Sequence, residues 1–167
     1  DNLQYFNFAV HPRDTTVKLY SLKEPENYSQ TGWSSILPDR FSILKNKNEI
    51  DVELVKAKPL MEIIKESKFT RVDLLQIDTE GYDYEVLKMF DFRFFRPVIV
   101  QYENVHLSKD VYEQSKTILS ENGYFVFKKN QDTISIDRKF LNLKFILLYI
   151  FFRLKESIKS RSIKILN

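Results

Sequence analysis

The spacing of apolar residues along the chain predicts strands and helices in alternation. Three strands are predicted in the N-terminal third: residues 3–10, which are rich in aromatic side chains, and residues 15–20 and 50–55, which have the period-two pattern of half-buried strands. A long polar segment, residues 23–48, separates the second of these from the third and is predicted to be a loop. Residues 60–68 then place their apolar side chains at helical spacing, so we expect a short helix there.

The alternation continues in the C-terminal half. Residues 72–77 form a nearly continuous apolar run, typical of a strand buried on both faces of a parallel sheet. The remaining predicted elements are helices at residues 82–90 and 109–121 and strands at residues 98–103, 124–128 and 133–136. The last two strands are expected to form a hairpin. We therefore expect an α/β fold, with a mostly parallel sheet that carries a C-terminal antiparallel hairpin.

Composition agrees with one folded unit followed by a tail of different character. The 167 residues are 43% hydrophobic and include 14 Phe and 9 Tyr, so the chain can bury a core. Residues 138–167 carry eight basic residues and one acidic residue, whereas residues 1–137 have a net charge of −4. We expect a domain at 1–137 and a basic, apolar tail at 138–167. The acidic domain makes nucleic acid a poor primary partner.

The tail has two interpretations. Its apolar run, residues 140–152, is 13 residues long. A bilayer-spanning helix needs about 20 residues. The run is therefore expected either to pack as a terminal helix on its own domain or on a second copy, or to lie in a membrane interface with the basic residues that follow. The second interpretation predicts a cytoplasmic protein with peripheral membrane contact through residues 140–164.

Acidic residues follow two of the predicted strands. Asp78 and Glu80 come after the buried strand, and their spacing of two puts both carboxylates on one side of an extended chain. Gly81 permits a sharp turn into the next helix. Glu103 ends the following strand, and His106 is a candidate general base near neutral pH. Three carboxylates that lie close together would repel one another, and some would protonate or hold a cation.

Each of these residues also has a structural interpretation. Asp78 and Glu80 would suit the N-terminus of the next helix. Glu103 would suit a salt bridge with Arg71 or Arg96, and His106 would suit a surface loop. The cysteine count is zero, which excludes disulfides and thiolate metal sites, and no metal site is assigned. A divalent-metal hydrolase built on the three carboxylates is a weaker alternative.

The segment V-D-L-L-Q-I-D-T-E-G-Y-D-Y-E-V-L-K at residues 72–88 closely resembles the fourth-strand motif of FkbM-type methyltransferases. Other segments fit the family in order. Residues 8–10 resemble its third strand, residues 32–36 its serine-bearing loop, and residues 96–103 its fifth strand. The resemblance covers about residues 3–136. One departure is Gln76, which stands where the family often has Lys.

The resemblance implies a class I, Rossmann-like fold and S-adenosylmethionine-dependent methyl transfer, with a hydroxyl oxygen of a small metabolite or sugar as the acceptor. Asp78 would lie near the methionine end of the cofactor, and Glu80, Glu103 and His106 would join it in catalysis. Substrate contacts would come from the serine-bearing loop, at Trp33, Ser34 and Ser35.

The resemblance begins at the family's third strand. The glycine-rich loop that would hold S-adenosylmethionine belongs to the first strand, and the three glycines of this chain form no G-x-G cluster. We therefore expect the C-terminal two-thirds of a methyltransferase domain. The alternative is a truncated, non-catalytic domain that acts as a binding or membrane-associated module.

Overall fold

The computed structural model describes residues 3–23, 33–41 and 49–142, which form two four-stranded sheets and three α-helices. The first sheet has the strand order β1-β4-β2-β3. Its strands are β1 (Ala9–Val10), β2 (Thr15–Leu22), β3 (Ser34–Ser35) and β4 (Ile50–Lys58). β2 and β4 form a long antiparallel ladder, and β1 runs parallel to β4.

The second sheet follows and has the order β5-β6-β8-β7. Its strands are β5 (Leu74–Ile77), β6 (Ile99–Glu103), β7 (Tyr124–Lys129) and β8 (Asp132–Asp137). β5 and β6 are parallel, with Ile77 opposite Tyr102. β7 and β8 form the predicted hairpin, and β8 pairs antiparallel with β6.

The prediction of a mostly parallel sheet is wrong, because each sheet is mixed and contains a single parallel pair among the described residues. In the first sheet, the turn at residues 11–14 sends β2 back against β4. In the second, the hairpin places its second strand, β8, beside β6. The short reversal between β7 and β8 produces antiparallel neighbours without a crossover helix, whereas β2 and β4 pair although residues 23–49 separate them in sequence.

The three helices lie close to their predicted positions. They are α1 (Leu60–Glu66), α2 (Asp83–Met89) and α3 (Lys109–Glu121). The Ser108 hydroxyl accepts a hydrogen bond from the Val111 amide at 3.3 Å and so caps α3. α3 ends at Asn122, and Gly123 follows with φ +84°. This is the left-handed conformation that commonly terminates helices.

The main core lies between the helices and one face of the second sheet. It is built mainly from aliphatic and aromatic side chains, among them Leu75, Ile77, Leu87, Val100, Tyr102, Leu119 and Tyr124. The Tyr102 hydroxyl lies 2.7 Å from the Ser115 hydroxyl of α3, so the buried ring is also satisfied as a polar group. This packing fixes β6 at the centre of the structure.

The opposite face of β5 is more accessible than the sequence predicts. Leu74 is 51% exposed, and its cross-strand neighbour Ile99 is 36% exposed. The expectation that this strand is buried on both faces is therefore wrong for the described part of the chain, where helices cover one face only. The first predicted strand is also shorter than expected, since only Ala9–Val10 of residues 3–10 pairs with another strand.

The tail falls almost entirely outside the described residues. Its first residues form a short 3₁₀ helix, Arg138–Phe140, in which the Asp137 side chain accepts a hydrogen bond from the Lys139 amide. The predicted apolar and basic segment from residue 143 onwards lies outside the description, so its membrane contact stays a prediction. None of the described helices has the length and apolarity required to cross a bilayer.

Candidate active site

The two acidic segments meet at one edge of the second sheet. β5 and β6 are adjacent and parallel, so the residues that follow Ile77 and those that end β6 emerge on the same side. Open α/β sheets bind their ligands at this carboxyl edge. The predicted proximity of Glu80 and Glu103 follows from this pairing.

Glu80 is held in an uncommon backbone conformation. Its φ is +49°, in the left-handed region that side chains other than glycine rarely adopt, and Gly81 follows with φ +101°. Ser35 donates its hydroxyl hydrogen to the Glu80 carbonyl at 3.1 Å. β5 itself ends at Ile77, so Asp78 and Glu80 lie in the turn after the strand and not within its extended part.

Arg40 pairs with Glu80 and joins the two parts of the site. It belongs to a short 3₁₀ helix, Pro38–Phe41, and donates to Glu80 Oε2 from Nη2 at 2.7 Å and from Nε at 3.1 Å. Its guanidinium also lies over the Trp33 ring, 5.4 Å from the ring centre. Sequence reasoning missed Arg40, because one arginine in a polar loop has no distinguishing pattern.

His106 lies between the two glutamates. Its Nε2 is 3.3 Å from Glu103 Oε2 and 3.5 Å from Glu80 Oε2. Glu103 Oε2 is inaccessible to solvent and has no hydrogen-bond partner among the described residues. One nitrogen and two carboxylate oxygens therefore converge on a small volume, in which all three ligand atoms lie within 4.8 Å of one another.

Asp83 connects the two acidic segments through hydrogen bonds to both. It is fully buried and accepts hydrogen bonds from the Thr79 hydroxyl at 3.2 Å, the Gly81 amide at 3.2 Å and the Glu103 amide at 3.3 Å. The turn after β5 and the end of β6 are thus bonded to one carboxylate. The motif placed Asp83 two residues after Gly81, but nothing in the sequence indicated that it reaches across to the neighbouring strand.

The surroundings shift the protonation equilibria of this cluster. Burial, together with the nearby carboxylates of Glu80, Asp78 and Asp83, raises the pKa of Glu103 to about 7. Burial and the Arg40 guanidinium lower the pKa of His106, against the attraction of the same acids. Near pH 7 the Glu103 carboxyl is therefore about half protonated, and the lowered pKa of His106 favours the neutral imidazole. Burial, followed by Glu80 and Asp132, also raises the pKa of Asp78.

A cavity of about 440 Å³ opens beside the cluster. It is lined on one side by the 3₁₀ segment and on the other by the turn after β5, through Leu37, Pro38, Asp39, Arg40, Glu80, Gly81 and His106. Ligand pockets for small molecules commonly measure roughly 300–1,000 Å³. The cavity thus has the size for a small metabolite and a wall that carries charged groups and an imidazole.

The predicted substrate-binding residues differ in their surroundings. Ser35 is buried, and its hydroxyl also accepts a hydrogen bond from the Leu37 amide at 3.2 Å, so it acts on the position of Glu80 and of the loop. Ser34 and Trp33 are half-buried, and Trp33 packs against Arg40. Their contact with a substrate stays a prediction.

Two purely structural roles considered for the acids, capping of α2 and a salt bridge of Glu103 with an arginine, are wrong. α2 begins after Tyr82 without a side-chain hydrogen bond at its N-terminus, so neither acid of the motif caps it. The two arginines considered as partners of Glu103 pair elsewhere: Arg71 with Asp73 and Arg96 with Asp137. The acids are thus left available to one another, to Arg40 and to His106.

The family model of the FkbM methyltransferase domain matches residues 1–126, which is most of the chain and includes both acidic segments. The chain belongs to this family. No curated protein and no solved structure matches it. The FkbM match ends within β7, so the site described above lies wholly inside the matched region.

The acidic edge of this FkbM domain fits one end of S-adenosylmethionine. The exposed Asp78 carboxylate, with Asp132 and Glu80 nearby, would favour the positively charged methionine portion of that molecule. For the adenosine portion, this chain has no glycine-rich loop that could bind it, because Gly32, Gly81 and Gly123 are far apart in the sequence. The residues present thus fit the methionine end, and Asp78 is the one that would hold it.

Proposed function

We propose that this FkbM domain forms the acceptor side of an S-adenosylmethionine-dependent methyltransferase that methylates a hydroxyl oxygen of a small metabolite, with sugars as the leading class. The observation that carries the proposal is the position of His106, which lies at the wall of the cavity with its Nε2 directed at two glutamates. S-adenosylmethionine would supply the electrophilic methyl group. The chain's own residues would bind the acceptor and remove its proton.

His106 is suited to accept that proton. Its lowered pKa keeps the imidazole neutral near pH 7. When Nε2 carries the ring hydrogen and faces the glutamates, Nδ1 is the basic atom. The positive charge that develops on the ring is then stabilised by the carboxylates of Glu80 and Glu103. Arg40 holds Glu80 in place, and the cavity supplies the position of the acceptor.

The proposal predicts a large loss of methyl transfer when His106 is replaced. In a protein that contains this chain together with a cofactor-binding segment, His106→Ala should slow transfer from isotopically labelled S-adenosylmethionine to sugar hydroxyls by about 10²–10⁴-fold. The matched control is Glu113→Gln, which removes an exposed carboxylate on α3. Asp78→Ala should abolish transfer because it removes the proposed cofactor contact.

Full activity in the Asp78→Ala and His106→Ala variants would contradict the assignment. Calorimetric titration of the 167-residue chain with S-adenosylmethionine addresses the non-catalytic alternative. Tight binding would reject a purely structural module. Absence of binding would favour that alternative for the 167-residue chain.

A further inference from the structure

We propose that Glu80, Glu103 and His106 form a binding site for one divalent transition-metal ion. The site lies at the wall of the cavity assigned above to the methyl acceptor, and so it rests on the same residues as the proposed function. Metal binding does not itself require methyl transfer.

Two of the three ligand-atom separations match those around one ion, and the third lies within 4.8 Å. Such ions take imidazole nitrogen and carboxylate oxygen at about 2.0–2.2 Å, so ligand atoms on one ion lie roughly 3–4 Å apart. His106 Nε2 is 3.3 Å from Glu103 Oε2 and 3.5 Å from Glu80 Oε2. Small rotations of the side chains would bring all three atoms onto a common centre.

The second observation is the state of Glu103 Oε2. This oxygen is removed from solvent and, within the described parts of the chain, receives no hydrogen bond, although His106 Nε2 lies 3.3 Å away. A buried carboxylate oxygen without a partner is costly, and native proteins generally satisfy such atoms. A cation at the common centre would satisfy it, because the atom already faces His106 Nε2 across that centre.

The local charge favours a cation. Glu80 and Glu103 lie within reach of His106, Asp78 is close enough to affect Glu103, and the positive charge facing them in the described structure comes from Arg40. When Asp78, Glu80 and Glu103 are ionised and His106 is neutral, these groups and Arg40 together carry a net charge of −2. One divalent ion would bring it to zero.

Arg40 is compatible with the ion and supports its ligand. A carboxylate oxygen has more than one lone pair, so Glu80 can accept from the guanidinium and also coordinate a metal. Ligating carboxylates in metal sites are commonly hydrogen-bonded by a further residue that fixes their orientation. Arg40 occupies that position and is itself stacked on Trp33.

The ligand types select the class of ion. Carboxylates alone would suit Mg²⁺ or Ca²⁺, whereas an imidazole nitrogen shifts the preference to Mn²⁺, Fe²⁺ or Zn²⁺. Three protein ligands leave positions open on the side of the cavity, where an acceptor hydroxyl could coordinate. In that state His106 is a ligand, and the cation lowers the pKa of the hydroxyl, whose proton leaves to solvent.

The test is binding of Mn²⁺ alone to the metal-free 167-residue chain, followed by calorimetry and electron paramagnetic resonance at pH 7.5. We expect one ion per chain, and pulsed measurements should detect coupling of the electron spin to a histidine nitrogen. His106→Ala should remove this coupling. His106→Ala and Glu103→Gln should each weaken binding by at least about tenfold, whereas Glu113→Gln should leave it unchanged.

Circular dichroism of each variant shows whether weaker binding reflects unfolding, and the nitrogen coupling in the unmodified chain gives evidence that does not depend on a variant. Absence of saturable binding, binding without nitrogen coupling, or equal weakening by Glu113→Gln would overturn the proposal. Loss of methyl transfer in a protein that still binds Mn²⁺ would contradict the proposed function and leave the metal site intact.

Discussion

Glu80 combines backbone strain with hydrogen bonds from two residues that are distant in sequence. A left-handed conformation at a residue other than glycine costs about 1–3 kcal/mol, and Glu80 has φ +49°. Two hydrogen bonds from Arg40 and one from Ser35 hold it there. Strain that the surrounding contacts maintain is typical of functional positions. The Asp78-Thr79-Glu80-Gly81 turn is therefore built to present one carboxylate rather than to minimise its own energy.

Glu103 should make the stability of the metal-free domain depend on pH. Its pKa rises from the usual 4.5 to about 7 in the fold, so the folded state binds more protons than the unfolded state between these values. The corresponding stability is complete below pH 4.5 and is lost as pH rises through about 7. Burial raises this pKa most, Glu80, Asp78 and Asp83 raise it further, and Arg40 lowers it. His106 faces the same carboxylate.

Glu103→Gln removes this titration, so the variant should lose less stability than the unmodified chain between pH 5 and pH 8. Because Glu103 is partly exposed, we expect a difference of about 2 kcal/mol. Urea unfolding with a chelator present measures it. The control is Glu113→Gln, which should follow the unmodified chain. Parallel pH profiles for the unmodified chain and Glu103→Gln would show that Glu103 titrates normally.

The sequence predicted the members of the acidic cluster but not the residues that position them. Glu80, Glu103 and His106 follow neighbouring strands, so the expected sheet edge was enough to bring them together. Arg40 arrives from a distant loop through a tertiary contact. Asp83 acts across two strands. No local periodicity encodes either contact, because both depend on how separate segments pack.

Among the elements, those with clear terminal signals were predicted best. α3 begins at its serine cap and ends before Gly123, as the pattern indicated. The hairpin of β7 and β8 also matches its predicted position, because its turn lies within the local sequence. β1 is shorter than predicted, since a segment rich in aromatic residues does not ensure that a neighbouring strand lies opposite every residue.

Gly123 should be required for the junction between α3 and β7. Its φ is +84°, and a Cβ atom there would lie 2.9 Å from Arg96 Nη2. Arg96 is not free to move away, because it is paired with the fully buried Asp137. Gly123→Ala should therefore destabilise the domain by about 1–2 kcal/mol for the backbone alone, with a further loss at the ion pair.

Thermal or urea unfolding checks this value, and Ser120→Ala, at an exposed position of the same helix, is the control. In an Arg96→Ala background, Gly123→Ala should cost less, because the steric contact is gone. Equal costs in both backgrounds would mean that Arg96 relaxes without penalty and that only the backbone conformation matters.

At the scale of the whole molecule, the site joins the two sheets. The segment that contains β3 belongs to the first sheet, and its Ser35 and Arg40 bond to Glu80 at the edge of the second. The fold class was predictable because strands and helices alternate in sequence. The division into two mixed sheets was not, because strand order depends on long-range pairing that the pattern does not contain.

The central position of β6 has a consequence for local opening. β6 is bonded on both sides, to β5 and β8, whereas among the described strands β5 has a neighbour on one side only. Amide hydrogens of β6 should therefore exchange with solvent at least about tenfold more slowly than those of β5, as measured by mass spectrometry or NMR. Equal exchange rates in the two strands would show that they open together.

This difference would give the two halves of the site different rates of local opening. Glu103 stands at the end of the protected strand, whereas Glu80 follows the strand that opens first. Brief excursions from the native state would separate Glu80 from Glu103 while the rest of the sheet stays closed. The Glu80–Arg40 pair would then be the part of the cluster that forms last on closing and separates first on opening.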